Sequence, residues 1–331
     1  MRLLLKQNKK GLGKMSKRRK SRKQQFNILL IPVIFLILFL ILLIIDTSKT
    51  PQSNALQNKI SQKEIQQKEA YTGNKLDDRK ENFIQLSTNL EIPSCAAKNH
   101  SEDHEIRRFE NYTICYRESY EQAEWSAYCI SDYQLVKNAD RSNDFRADPI
   151  ISTGSADLAD YRKSGFDRGH LTPAADMSFD SKAMSDTFFM SNMSPQNPQF
   201  NRGIWKDLEA QVRIWVKVFG RAYVVSGPIL NKSADEYNSI GNNNVAIPEY
   251  FYKVILVPLY EDMTDRSSSD DAKAVAAIGF VIPNQNCKDS FWDYAETIDN
   301  IERMTNLDFY SLLPDSWENK IEAQYNLDEW K

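Results

Sequence analysis

The sequence predicts an α+β fold, a large domain on a mixed or antiparallel sheet, preceded by one transmembrane helix and a polar stalk. Three observations predict it. Short runs rich in aromatic and β-branched residues recur after about residue 100, one segment near the middle has helical spacing, and a single long apolar run follows a basic N-terminal end.

The basic end comes first. Of 42 Lys and Arg in 331 residues, 11 fall in residues 1–25, which hold no acid. The remainder carries 31 basic against 45 acidic side chains, a net of −14, so the overall −3 describes neither part. Eleven Gly and 12 Pro exclude a collagen-like chain, and 41% hydrophobic residues exclude global disorder. Ile28 to Ile45 is an apolar run interrupted only by Pro32. At ~1.5 Å per residue it spans close to the ~30 Å hydrocarbon layer. A cleavable leader would be shorter and closely followed by a small-residue site. A retained signal-anchor at 26–46 is therefore expected. The positive flank puts 1–25 in the cytoplasm and the rest outside, in a periplasm, lumen or extracellular space.

Residues 47–99, rich in Gln, Asn, Lys and Glu, read as a solvated stalk, and 100–331 as the folded domain. YTICY, WSAYCI, AYVVSGPIL, YFYKVILVPLY and VAAIGFVIP predict strands with buried centres. Between Phe200 and Phe219, Ile204, Leu208, Val212 and Trp215 share one helical stripe. Ser290–Thr305 and Asp315–Tyr325 predict further helices, and TDRSSSDDAK an exposed loop. Four cysteines outside the cytoplasm allow three disulfide connectivities. A hairpin across 117–124 would favour Cys115–Cys129, leaving Cys95–Cys287.

Histidine is scarce. His100 and His104 sit in the polar stretch KNHSEDHE, which lacks the order of a metal motif and reads as solvated. His170 stands in Asp167-Arg168-Gly169-His170. A lone buried histidine is usually structural, yet on a strand Arg168 and His170 project to the same face. A guanidinium there disfavours protonation and keeps the imidazole a base, which suits an anionic substrate. Downstream, SNMSPQNPQFNRGIW is crowded with amides and runs into the helix. Asn201 there reads either as an N-cap or as a functional amide. Glu209 and Arg213 lie about 80° and 120° round the barrel from it. As an i,i+4 pair, they are equally readable as a solvated ion pair.

D-R-G-H, then N-x-x-P-Q, then N-R-G-x-W-x-x-L-E resembles the DNA/RNA non-specific endonuclease family. RSNDFRADP, VVSGPI, IPEYFYKVIL, AIGFVIPN and IERMTNLDFYSLLP extend the likeness over about 110–325. The resemblance implies a nuclease domain with a ββα-metal site. It implies His170 as general base, Asn201 as the protein ligand of Mg²⁺ (Mn²⁺ or another divalent ion being the alternative), and Glu209 orienting metal-bound water. Arg168 and Arg213 would hold the phosphate, with Asn192 and Gln196 as amides at the site, Asp167 shaping the turn, and Arg146 matching a family arginine before the motif. It further implies 5′-phosphate products from DNA, RNA or both, with slight sequence preference. The expectation is a membrane-anchored Mg²⁺-dependent endonuclease. A non-catalytic nucleic-acid binding or uptake module on the same fold, or a phosphodiesterase for another substrate, are the alternatives. Oligomeric state stays open, a homodimer included. Four sequons begin at Asn99, Asn111, Asn192 and Asn231; a glycan on Asn192 would obstruct the site. The charge is uneven. Residues 161–217 hold eight basic against six acidic side chains, and 261–331 hold six against sixteen.

Overall fold

The computed structural model describes residues 84–95, 103–261 and 271–331. The expected basic tail 1–25, the apolar segment 26–46 and the stalk as far as residue 83 lie outside the described residues. Among the described residues, no helix is long and apolar enough to cross a membrane.

The centre is a seven-stranded antiparallel sheet. Its strands are β1 (His104–Arg108), β2 (Thr113–Arg117), β3 (Gln122–Ser131), β6 (Arg221–Pro228), β7 (Tyr250–Leu259), β8 (Ala274–Pro283) and β9 (Ala295–Glu296). Two further strands, β4 (Asp167–His170) and β5 (Met193–Gln196), form a separate pair. In space the large sheet runs β9-β8-β7-β6-β3-β2-β1. The five aromatic and β-branched runs thus became β2, β3, β6, β7 and β8. They read as continuous apolar runs because both faces of the sheet are covered. Phe251, Ile255 and Val224 point to one face, while Tyr252, Val254 and Val225 point to the other.

The expected mid-chain helix is α1 (Lys206–Phe219), whose Leu208, Val212, Trp215 and Val216 are buried on the first face. It ends at Gly220, where φ is 84°, a left-handed conformation that costs glycine nothing. On the opposite face sit α2 (Ile298–Thr305) and α3 (Asp315–Glu322), through Ile298, Ile301 and Ile321.

Several expectations need correction. The stalk does not reach residue 99, because Ile84–Gln85 pairs with Asp271–Ala272, Ser94–Cys95 pairs with Leu307–Asp308, and Leu90 is buried in the second core. The Ser290–Thr305 helix is broken. Phe291–Tyr294 forms a single 3₁₀ turn and β9 follows, before Thr297 caps α2. His104 opens β1, with Nε2 3.5 Å from Glu124 and its side chain largely buried, and is not in a solvated stretch. The expected disulfides are not formed either. Cys115, Cys129 and Cys287 are in no disulfide. Cys115 faces Trp125 across β2 and β3, whereas Cys129 lies further along β3 against Tyr223 of β6. The two cysteines therefore sit at different levels of the sheet.

Candidate active site

The site is a ββα unit made of β4, β5 and the start of α1. The strands pair in the register Asp167 to Gln196 and His170 to Met193. They lie so close that a Cβ on Gly169 would come 2.1 Å from the Gln196 side chain, so only glycine fits between Arg168 and His170. After β5, Asn197 caps the short helix Pro198–Phe200 by accepting from Gln199 N at 2.9 Å. The N-cap is thus Asn197, and Asn201 is the residue that closes this short helix, not an N-cap. Asn201 opens a wide π turn, Asn201–Trp205, in which Gly203 leaves helical dihedrals (φ −109°, ψ −111°). The angular estimate from straight helix geometry therefore does not apply across this turn.

Asp167 fastens the strand to the turn. Its carboxylate accepts from Asn201 Nδ2 at 2.9 Å and from Arg202 Nε and Nη2 at 2.8 and 2.6 Å. The amide nitrogen of Asn201 is thereby committed, and Oδ1 is left as an oxygen donor with no hydrogen-bond partner among the described residues. A hard amide oxygen of this kind suits Mg²⁺, which keeps most of its waters and takes few protein ligands.

His170 is 8% exposed and boxed by aromatics. Its ring meets Phe188 at 4.8 Å and Phe145 at 5.8 Å, both edge-on. Nε2 is buried with no hydrogen-bond partner. The same two rings carry cations: Arg168 lies 4.0 Å above Phe145, and Arg141 lies 4.8 Å above Phe188. Among the described residues neither guanidinium has a carboxylate partner. Burial first, then Arg141 and Arg168, pushes His170 down to about 3, so the imidazole is neutral at physiological pH.

Glu209 lies on α1, where burial pushes its carboxyl above the usual range against the pull of Lys253. Lys253, on β7, is fully buried, with Nζ hydrogen-bonded to Ser226 Oγ and 4.6 Å from the Trp205 ring. Burial lowers its pKa, and Glu209 exerts the largest charge effect opposing that. Arg213 Nη1 is 2.7 Å from Asp176 Oδ1, whose other oxygen accepts from Tyr128 at 2.6 Å.

The expected residues therefore separate into two groups. His170, Arg168, Glu209, Arg213 and Asn201 belong to the ββα unit and its surroundings. Asn192 and Gln196, expected as amides at the site and grouped with the phosphate-binding residues, are both fully buried and do not face a substrate. Asn192 accepts from Thr172 N and donates to Thr172 O and Thr187 O, all at 3.0 Å, which also leaves its sequon inaccessible in the folded chain. Arg146 is corrected too. Its Nη1 binds Asp144 and Ser185 O, and its guanidinium stacks 3.8 Å from Phe189. The arginine at the site is Arg141, and the signal that locates it is its place four residues before Phe145 in RSNDFRADP. Lys253 was also missed, because a lysine inside an apolar strand reads as an interruption.

A profile of the family "DNA/RNA non-specific endonuclease" matches residues 93–316. The chain belongs to that family. It is 34% identical over 220 residues to Nuclease EXOG, mitochondrial, of Danio rerio, covering 63% of this chain and 62% of that one. It is 33% identical over 238 residues to the Mitochondrial nuclease of Saccharomyces cerevisiae, covering 67% and 70%. The chain thus spans roughly three fifths of the length of its first curated relatives. Among solved structures, the crystal structure of the EndoG/EndoGI complex superimposes with a TM-score of 0.56 at 30% identity, covering 64% of this chain and 88% of that one. These relatives overturn the expected localisation. They are named as mitochondrial nucleases, not as single-pass membrane proteins with an outward domain, and the expectation of an anchored protein is dropped.

Two measurements test the electrostatics. By NMR the His170 imidazole stays neutral from pH 8 down to pH 5; a titration midpoint near its ordinary value of about 6.5 would contradict the burial argument. Lys253→Met removes the cation that favours the Glu209 carboxylate, so the Glu209 pKa rises. The acid limb of kcat/KM then moves to higher pH, and the rate at neutral pH falls about tenfold, the equivalent of one pKa unit. An unchanged limb would show that Lys253 does not act on Glu209.

Proposed function

We propose that this chain hydrolyses phosphodiester bonds in DNA, RNA or both, with little sequence preference, leaving 5′-phosphate ends. The observation that carries the reading is the buried imidazole of His170 between two guanidiniums, Arg141 and Arg168, that lack carboxylate partners among the described residues. Unpaired cations around a base attract a phosphate and keep the base unprotonated until the reaction.

In this reading Arg168 and Arg141 contact the phosphate, and Arg213 adds the N–H groups that Asp176 does not use. His170 takes a proton from the attacking water as the oxygen–phosphorus bond forms and the bond to the 3′-oxygen breaks. Charge gathers on the phosphoryl oxygens, where the guanidiniums are already in place and need no reorganisation. Asn201 would hold a divalent cation, with Mg²⁺ the best match and Mn²⁺ the alternative, and Glu209 would act beside it. When bound, that ion supplies positive charge for the leaving oxygen. Because the chemistry is confined to backbone phosphate, base identity has little influence.

A cavity of about 300 Å³ lies next to the site on the Arg168 side. It is lined by Leu158, Tyr161, Arg162, Phe166, Asp167 and Arg168. Its mixed apolar and cationic lining suits the sugar and base flanking the scissile phosphate. A larger cavity, about 420 Å³, lies between β8 and α3 at Trp317 and Ile321 and includes none of the site residues.

Purified full-length protein should nick supercoiled plasmid with Mg²⁺ and lose the activity on chelation. His170→Ala should slow cleavage by about 10²–10⁴-fold, the usual worth of a positioned base, while melting cooperatively like the wild type. Activity within tenfold of wild type in His170→Ala would reject His170 as the base.

A further inference from the structure

A second set of acidic side chains lies on the opposite face of the sheet. Asp299 and Glu302 stand on α2, Asp308 follows in the short strand Leu307–Asp308, and Glu318 and Glu322 stand on α3. Carboxylate oxygens of Asp299, Glu302 and Glu322 lie within 4.8 Å of one another, as do those of Asp308, Glu318 and Glu322. Glu322 is shared by both groups. Among the described residues none of the five has a lysine or arginine partner.

Five carboxylates converging without a cation repel one another. Pairs three and four residues apart on a helix, such as Asp299 with Glu302 and Glu318 with Glu322, destabilise that helix when alike in charge. Glu322 provides a second, independent observation. It is 7% exposed, and its Oε1 is buried with no hydrogen-bond partner among the described residues. A buried carboxylate oxygen without a donor is expensive unless something positive sits against it. One of the Glu302 oxygens is used locally, accepting from Phe309 N at 2.8 Å, so that side chain is already aimed and fixed.

We propose that Asp299, Glu302, Asp308, Glu318 and Glu322 form a calcium-type divalent-cation site, centred on Glu322, that ties α2 to α3. Calcium takes six to eight oxygens at about 2.3–2.6 Å, so two ligands of one ion lie up to roughly 5 Å apart, which the spacing within each of the two groups satisfies. Its flexible geometry suits carboxylates drawn from three separate elements, whereas Mg²⁺ demands a near-ideal octahedron. The site is separate from the Asn201 position, because α1 and the ββα unit pack on the first face of the sheet and α2 and α3 on the second.

The test uses the full chain, stripped of metal by chelation and then exchanged into chelator-free buffer. Millimolar calcium chloride should raise the wild-type melting temperature by roughly 5 °C, as expected for a ligand in large excess over its Kd. The same rise should persist in Asn201→Ala and vanish in Glu322→Gln and in the more exposed Glu318→Gln. Terbium should give luminescence sensitised by Trp317 of α3 in wild type, and calcium should displace it. Glu318→Gln, which removes no buried group, decides the matter if Glu322→Gln does not fold. No calcium shift in the wild type, or a shift retained in Glu318→Gln, overturns the proposal. A shift lost in Asn201→Ala does so as well, because it would place the bound calcium at the ββα unit.

Discussion

The Asp167 carboxylate is the constraint on which the candidate site depends. It sits at the start of the strand that carries Arg168 and His170, yet all three of its side-chain hydrogen bonds cross to the π turn before α1. Two come from Arg202, whose side chain is 72% exposed, so that ion pair contributes little by itself. The bond from Asn201 matters more, because it decides which end of the amide is spent. With Nδ2 donated to Asp167, the oxygen remains for a cation. Strand, turn and the Asn201 amide are thereby set by one acidic side chain, and Gly169 lets the strand lie against Gln196 closely enough for this to happen.

Around that frame the protein uses burial to tune charge. Phe145 and Phe188 each face the His170 ring and each carry an arginine on another side. The apolar walls keep the imidazole neutral, and the arginines reinforce this, so the imidazole and two guanidiniums can share a small volume without an acid to separate them. On the helix side the logic runs the other way. Glu209 would lose its charge to burial, and Lys253, buried in β7 against Trp205, opposes that loss. Replacing such buried charges singly is costly, since each leaves the other without compensation.

The strands of the sheet and the core stripe of α1 were legible in the sequence because they depend on side-chain type and period alone. Residues whose roles depend on tertiary direction were not. Arg146 and Arg141 lie five positions apart in one irregular segment, and nothing local says that the first stacks on Phe189 while the second turns toward His170. Asn192 looked like a site amide from its place in the motif, but its three bonds go to backbone groups of Thr172 and Thr187. Ser290–Thr305 read as one helix, yet Ser290 and Thr297 each cap a separate turn. Cys115 and Cys129 could be placed on neighbouring strands but not at the same level of them.

The charge imbalance gains a location from the fold. The excess of acid in residues 261–331 belongs in part to the α2–α3 cluster, on the face of the sheet away from His170, while the ββα unit keeps its arginines beside His170. The central claim is that His170 delivers water in line with a departing 3′-oxygen, and the product ends report on it directly. Mass spectrometry of fragments from an oligonucleotide cleaved by the full-length protein with Mg²⁺ should show 5′-phosphate and 3′-hydroxyl ends throughout; 3′-phosphate or cyclic phosphate ends would contradict the account.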